Sequence, residues 1–251
     1  MSVYEEFAFF YTIGTYTQYS QKMAEILPQV LEKYQVKPET VLDLACGEGS
    51  FAILMSKEGY QVTGADQSES MLRIARERAE EEQVQVEFLN VDMRSLTFND
   101  QFDLTTCWFD SLNYLLEFHE LEQAFLGVSR SLKGGGLFIF DVNTIYGLAV
   151  IWQRQSVYIE QDTPDVFVVH RPSYNFENNL ATMRITGFMR DQEGWFRMDE
   201  AHNERGYSLE EIQAALKKAD LEELACWGSI SEMDQPNPNS GRVWFIAKKR
   251  E

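Results

Sequence analysis

The sequence predicts an α/β fold built on a doubly wound, mostly parallel sheet, and three observations carry that prediction. Short apolar runs alternate with helically spaced apolar residues throughout residues 41–142. Three of those runs carry an acid at or near the carboxyl end: Asp43, Asp66 and Asp92. The first run leads into a glycine loop, "DLACGEGSF", from Asp43 to Phe51. Ligands of such sheets bind in the crevice beyond the carboxyl ends of the strands, so loop and acids share one end of the fold.

Each element has its own signal. Met23, Ile26, Leu27, Val30 and Leu31 recur at helical spacing between Tyr19 and Tyr34. "VLDLA" (41–45) reads as a buried strand, and "SFAILMSKEG" as a helix that starts near Ser50 and stops at Gly59. "YQVTGAD" is a second strand ending at Asp66; Ser68 caps the next helix, whose inner face holds Met71, Leu72, Ala75 and Ala79. Val84, Val86 and Phe88 alternate in a third strand ending near Asp92, and "FDLTTCWFD" is a fourth. An amphipathic helix over 115–132, a turn at "LKGGG" and a fifth strand, "LFIFDVN", follow. From Ile145 to about Arg205 the helical period disappears, and turns at Glu177-Asn178-Asn179 and Glu193-Gly194 separate aromatic-rich strands. Helix returns at "YSLEEIQAALKKA", where Ser208 and Glu211 form a capping box. "EELACWGSI" and "RVWFIAKKR" then pair as a hairpin that adds one antiparallel strand.

Composition sets the outer limits. At 251 residues, 44% hydrophobic and 25% charged, the chain suits one large domain or a domain with an insertion. Forty Asp and Glu against 22 Lys and Arg leave a net charge of −18, which argues against DNA or RNA as substrate. Three cysteines, Cys46, Cys107 and Cys226, lack metal-ligand spacing and read as reduced thiols; no metal site is expected. The amino terminus has no basic region ahead of an apolar one, and no run approaches the ~18 apolar residues of a membrane span. A soluble, cytoplasmic protein with no membrane partner is expected.

The loop itself discriminates among ligands. Gly47-x-Gly49 followed by Ala52 satisfies a dinucleotide-binding pattern, in which a helix amino terminus receives a pyrophosphate. Asp43 before the loop and Glu48 within it would repel that anion and attract an ammonium group. Asp66 is placed to accept from both ribose hydroxyls, and Asp92 from an adenine amino group. The series describes a ligand with a cationic end, a ribose and an adenine.

Residues 41–142 resemble the core of class I S-adenosyl-L-methionine-dependent methyltransferases, whose first motif is an acid-x-x-x-Gly-x-Gly; here it reads Asp43-x-x-x-Gly47-x-Gly49. Cys46 matches a common loop residue, Asp66 the acid ending the second strand, and Asp92-Met93 the adenine-side pair. "FAFFYTIGTYTQYSQKM" and "DEAHNERGYSLEEI" resemble a small bacterial subgroup of undefined acceptor, with a looser similarity to amino-sugar N,N-dimethyltransferases. The resemblance implies a Rossmann-like, mostly parallel seven-stranded sheet with an antiparallel carboxyl-terminal strand. It implies a cofactor-binding domain of residues 1–144 and 206–251, with an amino-terminal helical lid over 1–36. It implies S-adenosyl-L-methionine as cofactor, with Tyr11, Asp43, Ala45, Gly47, Gly49, Asp66, Gln67, Met71, Asp92, Met93, Trp108 and Phe109 around it. The subgroup's amino-terminal Tyr-Asp is Tyr11-Thr12 here, which leaves Tyr11 as the cofactor or lid contact.

Methyl transfer from a sulfonium needs alignment and exclusion of water; a base is required only when the acceptor arrives protonated. Expected catalytic residues are Asp110, after the fourth strand, and His202, whose sequence neighbours Asp199, Glu200 and Glu204 would raise its basicity. His170 shows no partner in the sequence. Tyr19, Asn143, Glu200 and Glu204 are the expected acceptor contacts, with the acids an alternative clamp for a cationic amine. Residues 145–205 are expected as a β-rich cover over the strand ends that chooses the acceptor, or as an oligomer interface; monomer and homodimer both stay open. The leading function is methyl transfer to N or O of a small-molecule acceptor. A nicotinamide-dependent oxidoreductase and a non-catalytic cofactor-binding protein are the alternatives.

Overall fold

In the computed structural model, which describes residues 8, 10, 11, 17–190 and 193–251, alternation of side chains decides how the sheet is covered. Strand β1 (Thr40–Leu44) sends Val41 to one face and Leu42 and Leu44 to the other, all fully buried. The Val41 face packs on α1 (Thr17–Tyr34), α2 (Ser50–Lys57) and α3 (Glu69–Glu81). The Leu42 face packs on α4 (Phe118–Ser131) and α5 (Leu209–Lys218). A sheet buried on both faces needs near-continuous apolar strands, as the sequence supplies.

The remaining strands are β2 (Gln61–Asp66), β3 (Val86–Asn90), β4 (Phe102–Cys107), β5 (Leu132–Asn143), β10 (Leu221–Trp227) and β11 (Arg242–Lys249). They lie in the order β10-β11-β5-β4-β1-β2-β3, with β11 antiparallel to both neighbours. The chain winds outward from β1 through β2 and β3, then crosses to β4 and β5 on the other side. The reversal opens a crevice at the carboxyl ends of β1 and β4.

Local signals hold closely. The Ser68 hydroxyl accepts from the Met71 amide, and Ser208 and Glu211 form their reciprocal cap. Three boundaries differ. "LKGGG" is not a turn before β5 but a bulge inside it: Phe102 pairs with Leu132 and Leu104 already with Leu137. Strand β4 stops at Cys107, because Phe109 and Asp110 adopt left-handed φ values of 58° and 53°. Strand β3 stops at Asn90, and Asp92 instead caps a 3-10 turn, Met93–Ser95.

After β5 the chain forms a π-helical turn (Gly147–Ile151) and a 3-10 turn (Trp152–Arg154), although no helical periodicity marks them. Then comes an antiparallel meander: β6 (Tyr158–Asp162), β7 (Val166–Asn175), β8 (Leu180–Arg190) and β9 (Trp195–Arg205). One face of this second sheet carries Val166, Val168, Met183, Ile185 and Met198, packed on Phe10. His170, His202 and Glu204 are buried on the same face, farther along the strands. Residues 1–7, 9 and 12–16, which make up much of the expected amino-terminal lid, lie outside the described residues.

Candidate active site

At the crevice lies a cleft of about 1130 Å³, open mouth included. Tyr11, Asp43, Ala45, Gly47, Asp66, Gln67, Met71, Asp92, Met93, Trp108 and Phe109 all line it. Because β1, β2 and β4 are neighbours in register, residues 43–47, 66–67 and 108–109 meet there despite their separation in sequence.

Each acid is held differently. Asp66 accepts from the Gly47 amide at 2.9 Å and the Ser68 amide at 2.8 Å, one on each oxygen. Each oxygen keeps a further lone-pair site. Burial raises its pKa, and the amides oppose the rise. Asp43 accepts from the Thr106 hydroxyl at 3.1 Å, while its other oxygen is buried with no hydrogen-bond partner among the described residues. Burial pushes the Asp43 carboxyl up to about 7. Asp92 is clasped by the Arg94 guanidinium, 2.5 Å from Nη2 to Oδ2, which holds its carboxyl below the usual range.

Two sequence expectations change in the loop. Gly49 does not line the cleft; its missing Cβ serves packing, since a Cβ would lie 2.9 Å from Ala75 Cβ and 3.0 Å from the Phe88 ring. Glu48 reaches the cleft, but Arg78 pairs with it and the Ser50 hydroxyl donates to it at 2.9 Å. Its charge is compensated, so it no longer argues against an anion there. Gly47, at φ 55°, has open space where a Cβ would project.

A second cavity of about 1340 Å³ lies between the seven-stranded sheet and the meander. Tyr11, Phe109 and Tyr114 line both cavities and form the wall between them. Tyr19 stacks on Phe109 with centroids 4.8 Å apart, on the second-cavity side. Asp141 on β5 accepts from the Phe109 and Asp110 amides at 2.7 and 2.9 Å, which fixes the left-handed pair that ends β4. Arg242 on β11 pairs with Asp141 and lies 3.2 Å from Asp110, its guanidinium over the Tyr19 and Phe109 rings.

Asp110 and Glu204 both line the second cavity. Burial raises both carboxyls, and their mutual repulsion adds to the Glu204 shift. Asn143, an expected acceptor contact, lines neither cavity; its side-chain amide is buried, donating to Asp110 and, at 3.0 Å, to Glu204. His202 lines the cavity and bonds the Tyr114 hydroxyl at 2.8 Å through Nδ1. Glu200 stands behind His202, 3.0 Å from Nε2, and does not line the cavity. Strand alternation turns Asp199 to the opposite face, where it binds Arg197 and Thr186, so it is not a neighbour of His202 as expected. His170 does have a partner, the Tyr158 hydroxyl at 3.0 Å, and burial lowers its pKa to about 4.

Sequence reasoning missed Tyr114, Asp141 and Arg242. Asp141 had a readable signal, an acid near the end of a fully apolar strand. Arg242 had none, because it reaches the site from a strand 101 residues beyond Asp141. Among the described residues there is no group of metal-ligating side chains, and no helix is long and apolar enough to cross a membrane.

The profile of a methyltransferase domain matches residues 41–136. A relative from Geobacillus sp. (strain WCH70), named "Putative methyltransferase", is 32% identical, over 98% of this chain and 99% of its own. A crystal structure of an S-adenosylmethionine-dependent methyltransferase from Clostridium acetobutylicum is 28% identical, with full coverage of both chains and a TM-score of 0.86. CalS10, an amino pentose methyltransferase from Micromonospora echinaspora solved with S-adenosylmethionine bound, shares the fold at 20% identity, 99% coverage of each chain and a TM-score of 0.74. The chain belongs to the class I S-adenosyl-L-methionine-dependent methyltransferases. Its cofactor is S-adenosylmethionine, and its cleft suits that ligand. Among the described residues, one Asp43 oxygen has no hydrogen-bond donor and the buried Trp108 Nε1–H has no acceptor. An α-amino acid end supplies one of each.

Proposed function

We propose that the protein transfers a methyl group from S-adenosylmethionine to nitrogen or oxygen of a small molecule seated in the second cavity. The observation that carries this reading is the shared wall of Tyr11, Phe109 and Tyr114, which sets the two cavities side by side. Arg242 compensates Asp110, and the buried Glu204, which has no ion pair of its own among the described residues, favours an amine over an anion in the second cavity. Asp43 and Trp108 take the amino acid end of the cofactor, Asp66 the ribose, and Asp92 with Met93 the adenine. The backbone at Ala45 and Gly47 lies along it, with Gln67 and Met71 completing the cleft. When bound, the cofactor supplies an electrophilic methyl group on a positively charged sulfur. The residues of the wall align the acceptor and exclude water. Tyr19, Asp110, His202 and Glu204 serve the acceptor, and residues 145–205 act as its cover.

The test is calorimetry together with turnover. S-adenosylmethionine and S-adenosylhomocysteine should bind while NAD does not; NAD binding with neither sulfur ligand would refute the reading. Asp66→Ala should weaken S-adenosylhomocysteine by about 1.5–3 kcal/mol, the worth of hydrogen bonds to a charged group. An unchanged affinity places the ribose elsewhere.

The Asp43 carboxyl makes binding depend on pH. The ammonium group requires the carboxylate, and the free protein's carboxyl titrates at about 7. Affinity for S-adenosylhomocysteine should therefore hold above pH 7 and fall below it, by up to about tenfold per unit. Asp43→Asn should lower the affinity at pH 8 and flatten that dependence. Methylthioadenosine, which lacks the amino acid end, should show neither effect; equal losses for both ligands put Asp43 away from the ammonium.

A further inference from the structure

Tyr114, His202 and Glu200 form a connected line that leads away from the wall between the two cavities. Tyr114 ends the 3-10 turn Ser111–Tyr114 that follows β4, and it touches both cavities. Its hydroxyl lies 2.8 Å from His202 Nδ1. His202 Nε2 lies 3.0 Å from Glu200 Oε1, near but not in line for a hydrogen bond. That contact favours one tautomer. A carboxylate beside a bare ring nitrogen would set lone pair against lone pair, so Nε2 carries the hydrogen. Nδ1 is then bare and accepts, which makes Tyr114 the donor. Among the described residues, the charged and titratable groups near His202 include Tyr114 from the turn, His170 from β7, and Glu200 and Glu204 on its own strand, with Tyr158, Glu160, Asp110 and Arg242 lining the same cavity.

We propose that Tyr114 is a catalytic residue that takes the acceptor's proton and relays it to His202, with Glu200 positioning the ring and balancing its charge. The proposal rests on the reading of the second cavity as the acceptor site. It makes Tyr114 the contact and His202 a residue acting through it. For an amine arriving as ammonium, an N–H bond breaks and its electron pair becomes the nitrogen lone pair. The proton goes to Tyr114 Oη as the tyrosine's own proton moves to His202 Nδ1. The nitrogen lone pair then forms the bond to the methyl carbon, the sulfur–carbon bond breaks, and that pair stays on sulfur. His202 returns its proton to solvent, and Tyr114 is reset. A hydroxyl acceptor uses the same path, losing its proton as the new bond forms.

Two measurements test the relay. Nitrogen-15 NMR of histidine-labelled protein, with no acceptor present, should show His202 protonated on Nε2 and bare on Nδ1. The opposite tautomer overturns the proposal. Turnover is read as S-adenosylhomocysteine released on mixing S-adenosylmethionine with a low-molecular-weight bacterial extract, so that the acceptor need not be known. Tyr114→Phe and His202→Gln should lower the rate about 10²-fold or more, the usual worth of a general base. The deficit should shrink as pH rises and the acceptor sheds its proton unaided, whereas a structural role leaves it constant. Variants within threefold of wild type, or a deficit that ignores pH, refute the relay. No wild-type turnover counts against the acceptor site itself, and the relay falls with it.

Discussion

Gly47→Val should cost the protein at least about 100-fold in S-adenosylhomocysteine affinity, some 2.7 kcal/mol, while leaving it folded. Two properties of the position lead there. Its φ of 55° is left-handed, a strain of roughly 1–2 kcal/mol for a residue with a Cβ. None of the described residues lies within 4 Å of where that Cβ would stand, so the new side chain starts in open space at the cleft. The Gly47 amide also donates to Asp66, so any shift of the loop disturbs the proposed ribose contact. Gly49→Val should behave in the opposite sense. Its Cβ would strike Ala75 and the Phe88 ring, so the loss should appear as a lower melting temperature. Circular dichroism and calorimetry on both variants decide the matter. A Gly47→Val protein binding within threefold of wild type would move the ligand off this backbone.

Arg242→Met should destabilise the fold by about 3–5 kcal/mol, the cost of removing one partner of a buried charge network. The guanidinium, on a side chain 19% exposed, lies between the buried acids Asp141 and Asp110, and no other cation is paired with either acid among the described residues. Methionine keeps much of the stem's packing over the Tyr19 and Phe109 rings, so the loss reports charge rather than volume. The sign with pH follows from the acids left behind. Burial already raises the Asp110 carboxyl, and losing the cation raises it further. The variant should thus be weakest at high pH and recover toward wild type as pH falls. Denaturant unfolding at several pH values measures it; a loss below 1 kcal/mol, or one that grows on acidification, contradicts the account.

The predictable parts of this molecule are those governed by neighbours in sequence. Helical spacing from Met23 to Leu31, the Ser68 cap and the Ser208–Glu211 box depend on contacts a few residues away, and each forms as read. The glycine loop and the acids at 43, 66 and 92 were legible because a parallel sheet brings successive strand ends to one edge. The misreadings arose where tertiary contacts override local pattern. "LKGGG" resembles a turn, yet Phe102 pairs with Leu132 and draws the glycines into β5. Asp199 and His202 are close in sequence, but alternation along β9 sends them to opposite faces. The place of Asn143 at a strand end suggests an acceptor contact, whereas Asn113 engages both its backbone polar groups and Asp110 and Glu204 engage its side-chain NH2.

The salt link between Arg242 and Asp141 also bears on when the protein becomes competent. The ribosome makes β1, the glycine loop and the whole donor-side cleft first, and these can pair among themselves by contacts of short range along the chain. The paired backbone amides of Phe109 and Asp110 hang on Asp141, and Asp141 acquires its counter-ion only when β11 slots between β5 and β10. A nascent chain can therefore hold a nearly finished nucleoside cleft before it holds a charge-balanced wall. If the second cavity holds the acceptor, as proposed, the donor cleft is synthesised before the wall facing the acceptor can be charge-balanced.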